Sequence, residues 1–415
     1  MVRLIVLILF AFALSCPALA QLRGHGGPVR AVATSADGVL GLSAGFDGTA
    51  IVWGLKSGQA LELLRPHDAP ATAAAISGDI AFATGDQNGR VALWRLGGAP
   101  RLIEAHTAPV VGIAPTGDRR AFLSAGLDGS IVRIDSDNGI ASAFTRRAAT
   151  LAGICAEGDT AIVAERDGAL RWISRDGHER RSVTLGATAL TLACDHGLVF
   201  VGLADGRVMR AGAEPKPSEV MTIRGPVSAL AAREGHVAAA NVAGEIVMLD
   251  HGRPRDFAAK RGAPVWGLAF AGGDLLAAGA DGFVRRYDVA SGRERAPADF
   301  VSAEEIPAGL RDHPGARVYE ACRVCHSLKP GEHRAGPSLA GVVGRKIGAA
   351  DGYAFSEALK RMDIVWSRDT IARLFEIGPQ AMTPGTKMPE QRVVEARDRA
   401  ALAEFIDLAG ALPTR

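Results

Sequence analysis

Cys322, Cys325 and His326 are the residues whose types and spacing most directly specify chemistry in this chain. Two thiols separated by two residues, followed at once by an imidazole, make the C-x-x-C-H run through which c-type haem is attached. On one short helical turn each sulfur can reach one vinyl-derived carbon of a porphyrin, and the imidazole falls below the iron as an axial ligand. Two other uses of such a pair stand beside this one. A thiol–disulfide redox pair requires a strand–helix setting, and a zinc site requires two further ligands. Cys155 and Cys194, the other cysteines after the first twenty residues, lie far upstream.

An iron held by His326 needs a ligand on its other face, and Met362, Met382 and Met388 are the downstream thioethers. A proline–glycine loop suits that task, as in Pro384-Gly385-Thr386-Lys387-Met388. The elements that must position these groups are helical. Gly315, Val318, Tyr319 and Cys322 share one face at helical spacing, as do Leu402, Phe405, Ile406 and Ala409 near the C-terminus.

Between the cysteines and Met388 run Gly336-Pro337-Ser338-Leu339, Gly344-Arg345-Lys346, Gly352-Tyr353-Ala354-Phe355-Ser356 and Trp366. In that order and at those separations, residues 314–415 resemble the class I cytochromes c of the mitochondrial type. The resemblance implies an all-α domain with one covalently bound haem c, whose iron ligands are His326 and Met388. It implies that the Pro337 carbonyl accepts a hydrogen bond from the other nitrogen of His326, fixing the ring and keeping it a good donor. Arg345 and Trp366 match residues that contact a haem propionate. Gly315, Tyr319 and Phe405 match the crossing of the first and last helices. A redox partner protein is implied as well.

Departures from the family pattern are informative. Phe355 and Leu359 stand where a propionate-contacting tyrosine and an asparagine are usual, and Phe375 replaces a tyrosine beside the methionine sulfur. The polar network around the haem should therefore be thinner. Lys329, Lys346, Lys360 and Lys387 remain of the familiar lysine ring, a weak steering field that puts docking to a typical cytochrome oxidase in doubt.

The preceding residues, 21–300, repeat themselves. Asp47-Gly48, Asn88-Gly89, Asp128-Gly129, Asp167-Gly168, Asp205-Gly206, Ala243-Gly244 and Asp281-Gly282 recur at steps of 41 falling to 38 residues. Asn-Gly and Asp-Gly supply the positive φ of two-residue hairpins, and seven such units of four short strands are the signature of a β-propeller. The units resemble WD repeats. In blade one the resemblance joins His25, Ser43, Asp47 and Trp53 in a buried hydrogen-bond chain, and in blade two His67, Thr84, Asn88 and Trp94. Blade three keeps His106, Ser124 and Asp128 but carries Ile134. In blade four Trp172 comes one residue early, which turns it to the other strand face. The strand that closes the ring is expected at Gln21-Leu22-Arg23, with residues 295–301 as the competing choice. Cys155 and Cys194 occupy equivalent places in consecutive blades, as a disulfide or as two small buried residues.

Glycine is abundant (50 residues) and aromatics are 5%, which fits short strands and tight turns. A net charge of +2 gives no sign of a nucleic-acid partner. The apolar run from Leu4 to Leu14 behind Arg3, ending at Ala18-Leu19-Ala20, reads as a signal peptide over 1–20, and hence as export to the periplasm with no membrane span after cleavage. The stretch 295–314 is rich in proline, alanine and charge and is divided by Pro297, Pro307 and Pro314, which reads as a linker over 301–313. It should tether the haem domain to a propeller that docks a partner, unless the two domains pack rigidly together. The expected function is electron transfer by a non-catalytic monohaem protein, because two filled axial positions leave no open site on iron. The competing expectation is a redox enzyme whose propeller holds a substrate or second cofactor.

Overall fold

The computed structural model describes residues 21–411 apart from residues 23, 79–80, 259–262, 296–305, 320–321, 324, 334–335, 354, 387 and 389–391. The expected signal peptide lies outside the described residues, as do the first part of the linker and Lys387.

The repeats fold into seven four-stranded antiparallel sheets. Each Asx-Gly pair occupies a hairpin turn, with Gly48, Gly89 and Gly129 at φ of 72°, 86° and 81°. Blade one shows the pattern: Val29–Thr34, Leu40–Gly45, Ala50–Gly54 and Gln59–Leu64 pair in sequence order. Blade seven is different. Its strands Val265–Ala271, Asp274–Gly279 and Val284–Asp288 are completed by the N-terminal Gln21–Leu22, with Gln21 opposite Arg285 and Leu22 opposite Val284. The chain's first described strand thus closes the ring.

Blade one carries the expected polar chain. His25 Nε2 lies 2.7 Å from Ser43 Oγ, and the Trp53 indole N–H donates to the same oxygen at 2.8 Å. Blade two departs from expectation twice. His67 Nδ1 meets Asp86, at 3.0 Å, rather than Asn88. Trp94 donates to Glu62 at 3.1 Å rather than to Thr84. The cross-strand neighbours explain the second change. Trp53 sits opposite Gly41 and can lean toward Ser43, whereas Trp94 sits opposite Phe82 and stacks on it at 5.6 Å. In blade four the buried Glu165 carboxylate accepts from both Arg147 and Arg171 at 2.8 Å, so an ion triad stands where no histidine was available. Trp172 is covered by the Arg181 guanidinium, 4.6 Å from the ring centre.

The innermost strands of the blades converge around a central channel, where Ala31, Thr72, Gly112, Gly153, Thr191 and Gly267 come together. This convergence brings Cys155 and Cys194, on the innermost strands of blades four and five, to a Cα separation of 6.2 Å, and they form a disulfide. That is within the span a disulfide bridges, and closing a loop of this size contributes about 4 kcal/mol in the chain-entropy account.

After the propeller come helices α1 (Pro314–Tyr319), α2 (Glu357–Lys360), α3 (Arg368–Ile377), α4 (Pro379–Met382) and α5 (Ala396–Ala411). Among the described residues no further strand occurs here beyond isolated bridges. Ser367 caps α3 and makes a reciprocal capping box with Thr370, satisfying two of the backbone N–H groups that a helix start leaves unpaired. α1 packs across α5, with the Tyr319 and Phe405 rings 5.2 Å apart. Gly315 makes this crossing possible, because a Cβ there would lie 2.0 Å from the Ala401 carbonyl oxygen and 2.5 Å from Phe405 Cβ. Gly315→Ala is therefore expected to cost at least ~3 kcal/mol, the upper range for an overpacked core. Thermal unfolding of the haem-loaded chain measures it, and a loss under ~1 kcal/mol would show that the crossing can open. Ile306, just upstream of the helices, is 8% exposed and belongs to the same core, with Leu310 packed beside it.

Candidate haem-binding site

A cavity opens within the C-terminal helical segment. Cys322, Cys325, His326, Pro337, Arg345, Trp366 and Met388 all line it. Its remaining wall is largely apolar, built from Ile347, Ile371, Leu374 and Ile406.

The cysteine wall begins where α1 ends. Tight turns follow, with Cys322 N–H donating to the Tyr319 carbonyl at 2.7 Å and His326 N–H to the Cys322 carbonyl at 2.9 Å. Cys322 and Cys325 are free thiols rather than a disulfide, and burial pushes both up to about 12. Among the described residues these sulfurs and the imidazole do not converge on one point, as zinc ligands would. They are spread along one wall.

His326 is fixed from three sides. Its Nδ1–H donates to the Pro337 carbonyl at 2.8 Å, which leaves the Nε2 lone pair as the one suited to iron. Burial lowers its pKa, so the ring is neutral. The Tyr319 hydroxyl donates to the His326 carbonyl at 3.0 Å. Gly336 lies against the ring itself, where a Cβ would be 2.3 Å from Cε1. The loop carrying Gly336 and Pro337 is pinned back to the cysteine segment, since Gly336 N–H donates to the Cys325 carbonyl at 2.7 Å and Leu339 N–H to the Ser327 carbonyl at 2.8 Å.

Met388 follows a turn held by its own side chains. Its N–H donates to Thr386 Oγ1 at 3.1 Å, and the Gln380 amide donates to the Thr386 carbonyl at 3.1 Å. Neither Met362 nor Met382 lines the cavity, although Met382 packs on the outside of the same core. Arg345 and Trp366 are brought side by side, because Trp366 N–H donates to the Arg345 carbonyl at 3.0 Å. The Arg345 guanidinium donates to the Ser338 and Ala340 carbonyls at 2.8 and 3.1 Å, and burial lowers its pKa. Phe355, Leu359 and Phe375 all reach the cavity and supply apolar surface there.

Three further residues at this site are given no role from the sequence. Tyr353 lines the cavity, its pKa pushed up to about 12 by burial, and its ring meets His333 edge-on at 5.6 Å. His333 in turn bridges two loops, donating from Nε2 to the Asp351 carbonyl at 2.7 Å and accepting at Nδ1 from Ser338 N–H at 3.1 Å. Leu63, from blade one of the propeller, also lines the cavity. The propeller reaches the site at the Cys325 edge. Cys325 packs against the cluster containing Ile51 and Trp53, and a Cβ on Gly24 would lie 3.6 Å from its sulfur. Nothing local could announce the contacts of Leu63 and Gly24 with this site, because they arise only when the domains meet.

The donor set suits an iron porphyrin. Two thiols can hold the macrocycle, and an imidazole with a thioether is a known axial pair for haem iron. Comparison with known proteins points the same way. The family model for cytochrome c matches residues 313–408, and the model for the WD domain, G-beta repeat, matches residues 16–54. The chain is 38% identical over 95 residues to a cytochrome c of Cochliobolus lunatus, covering 22% of this chain and 87% of that protein. It is 40% identical over 92 residues to cytochrome c2 of Blastochloris viridis, covering 21% of this chain and 72% of the relative. Cytochrome c 2.1 of Caenorhabditis elegans is 36% identical over 110 residues, 26% of this chain and 96% of that protein.

Proposed function

Because the chain belongs, through its C-terminal segment, to the cytochrome c family, we propose that it is an exported monohaem electron carrier whose iron is held by His326 and Met388. The observation that carries this reading is the single cavity lined by both cysteines, the imidazole and the thioether. Haem c, when bound, supplies one-electron exchange between ferric and ferrous iron. The chain's own residues do the rest. Cys322 and Cys325 anchor the macrocycle, and Pro337 orients His326 and strengthens it as a donor. Arg345 and Trp366 offer polar groups for the propionates, while the apolar wall keeps water from the iron. The Cys155–Cys194 disulfide supports an oxidising compartment, and with the signal peptide expected over residues 1–20 it favours the periplasm. No helix among the described residues is long and apolar enough to cross a membrane.

The propeller, in this reading, seats the haem domain and presents it to a redox partner. Leu63, Gly24 and the Trp53 region against the Cys325 edge support seating over free tethering. Iron and haem per chain test the proposal. One haem and one iron are expected, with the haem retained in acidified organic solvent. Haem lost to that solvent would overturn covalent attachment, and a second iron associated with haem would favour a two-cofactor enzyme.

A further inference from the structure

Outside the lining of the haem cavity, blade six gathers His236, Asp250 and His251 so that one ligand atom from each lies within 4.8 Å of the others. The fold makes this cluster in two steps. His236 opens the strand His236–Asn241 and sits directly opposite Asp250, which ends the strand Ile246–Asp250. The next two residues form the hairpin turn to Arg253–Ala258, with His251 at φ 45° and Gly252 at φ 83°. Such a turn favours Asn, Asp or Gly at its first position. Here a histidine takes the left-handed conformation, and its ring folds back over the strand pair.

The two imidazoles meet edge-on, 4.8 Å between centroids and 84° between planes. Asp250 Oδ1 lies 2.8 Å from His251 Nδ1 and 3.2 Å from His236 Nδ1. The second contact is not a hydrogen bond, and His236 Nδ1 is a buried nitrogen left without one. Burying an imidazole nitrogen unsatisfied is costly, and a cation between the rings and the carboxylate would satisfy it. Phe270 shields the inner side of His236 at 6.2 Å, while His251 stays 71% exposed, so the group is backed by core and open to solvent. Arg255 faces the other carboxylate oxygen at 3.8 Å, leaving Oδ1 to the imidazoles.

We propose that His236, Asp250 and His251 bind a borderline divalent transition-metal ion, with its remaining positions open to water. Two imidazoles and one carboxylate suit zinc, copper or nickel better than magnesium or calcium, which prefer all-oxygen shells. Three protein ligands beside an exposed turn describe a site that loads and releases metal rather than a closed structural one.

Zinc is the probe of choice because it has no redox chemistry to disturb the haem. Full-length, haem-loaded protein freed of metal by a chelator should take up one zinc ion at this site in calorimetric titration. His236→Ala and His251→Ala should each weaken binding by about tenfold or more, a difference near 1.4 kcal/mol. His196→Ala, on an exposed hairpin of blade five, should leave it unchanged. Equal uptake by wild type and the His236→Ala/His251→Ala double variant would overturn the proposal. Zinc-edge absorption on the wild type guards against variants that fail to fold. Two imidazoles in the first shell are expected, and a shell of oxygen alone would likewise overturn it.

Discussion

Met388→Ala is expected to convert the haem from six- to five-coordinate, to admit carbon monoxide in the reduced state and to lower the midpoint potential by on the order of a few tenths of a volt. The direction follows from the ligand. A thioether is a soft, weakly basic donor that stabilises ferrous over ferric iron, so its loss shifts the balance toward ferric. The magnitude lies well inside the ~0.8 V that axial ligands span. Met388 lines the cavity from a turn fastened by Thr386 and Gln380, so truncating its side chain removes the sulfur without removing the loop's own hydrogen bonds. Met382→Ala is the matched control, since that side chain packs outside the cavity and its loss should cost stability but not ligation. Optical spectra with and without carbon monoxide, and a redox titration, decide it. An unchanged spectrum for Met388→Ala, or the opening of iron by Met382→Ala, would remove Met388 from the ligand set.

Gly336→Ala is expected to be the most damaging single methyl at this site. The added carbon would stand 2.3 Å from Cε1 and 2.7 Å from Nδ1 of His326, so the ring must move. Movement stretches the 2.8 Å bond to the Pro337 carbonyl that sets both tautomer and orientation. The expected outcome is a partly high-spin haem with a destabilised fold, the overpacking alone contributing about 1–3 kcal/mol. Gly309→Ala provides the comparison, because a Cβ there meets nothing within 4 Å. A low-spin spectrum and an unchanged melting temperature for Gly336→Ala would mean that the 336–339 loop yields freely. The hydrogen bonds from Gly336 to Cys325 and from Leu339 to Ser327 argue against such freedom.

Much of the site could be read from the sequence because its chemistry is local. Cys322, Cys325 and His326 sit on one turn, and Pro337 and Met388 belong to short loops whose residues constrain themselves. The seven blades were equally legible, since six Asx-Gly turns and the Ala243-Gly244 turn recur at a nearly constant step and each is a local conformational demand. What escaped reading depended on neighbours distant in sequence. Asp86 rather than Asn88 meets His67. Trp94 turns from Thr84 to Glu62 because Phe82 fills the space that Gly41 leaves open in blade one. The pairing of Cys155 with Cys194 rests on how closely inner strands converge, a property of the whole ring. Leu63 at the haem cavity is more remote still, for an outer-strand leucine shows nothing of the domain that will lie against it.

The closing strand carries a consequence for the order in which the molecule can be made. Gln21 and Leu22 are synthesised before any blade, yet their partners, Arg285 and Val284, belong to the last. The pair with the greatest separation along the chain therefore completes the ring, and such contacts form slowly because the loop entropy must be met first. Until then blade seven presents an open edge. Leu22 and Gly24 also form part of the surface that meets Cys325. The part of that covering surface supplied by Leu22 is therefore set in place only when the two ends of the propeller join.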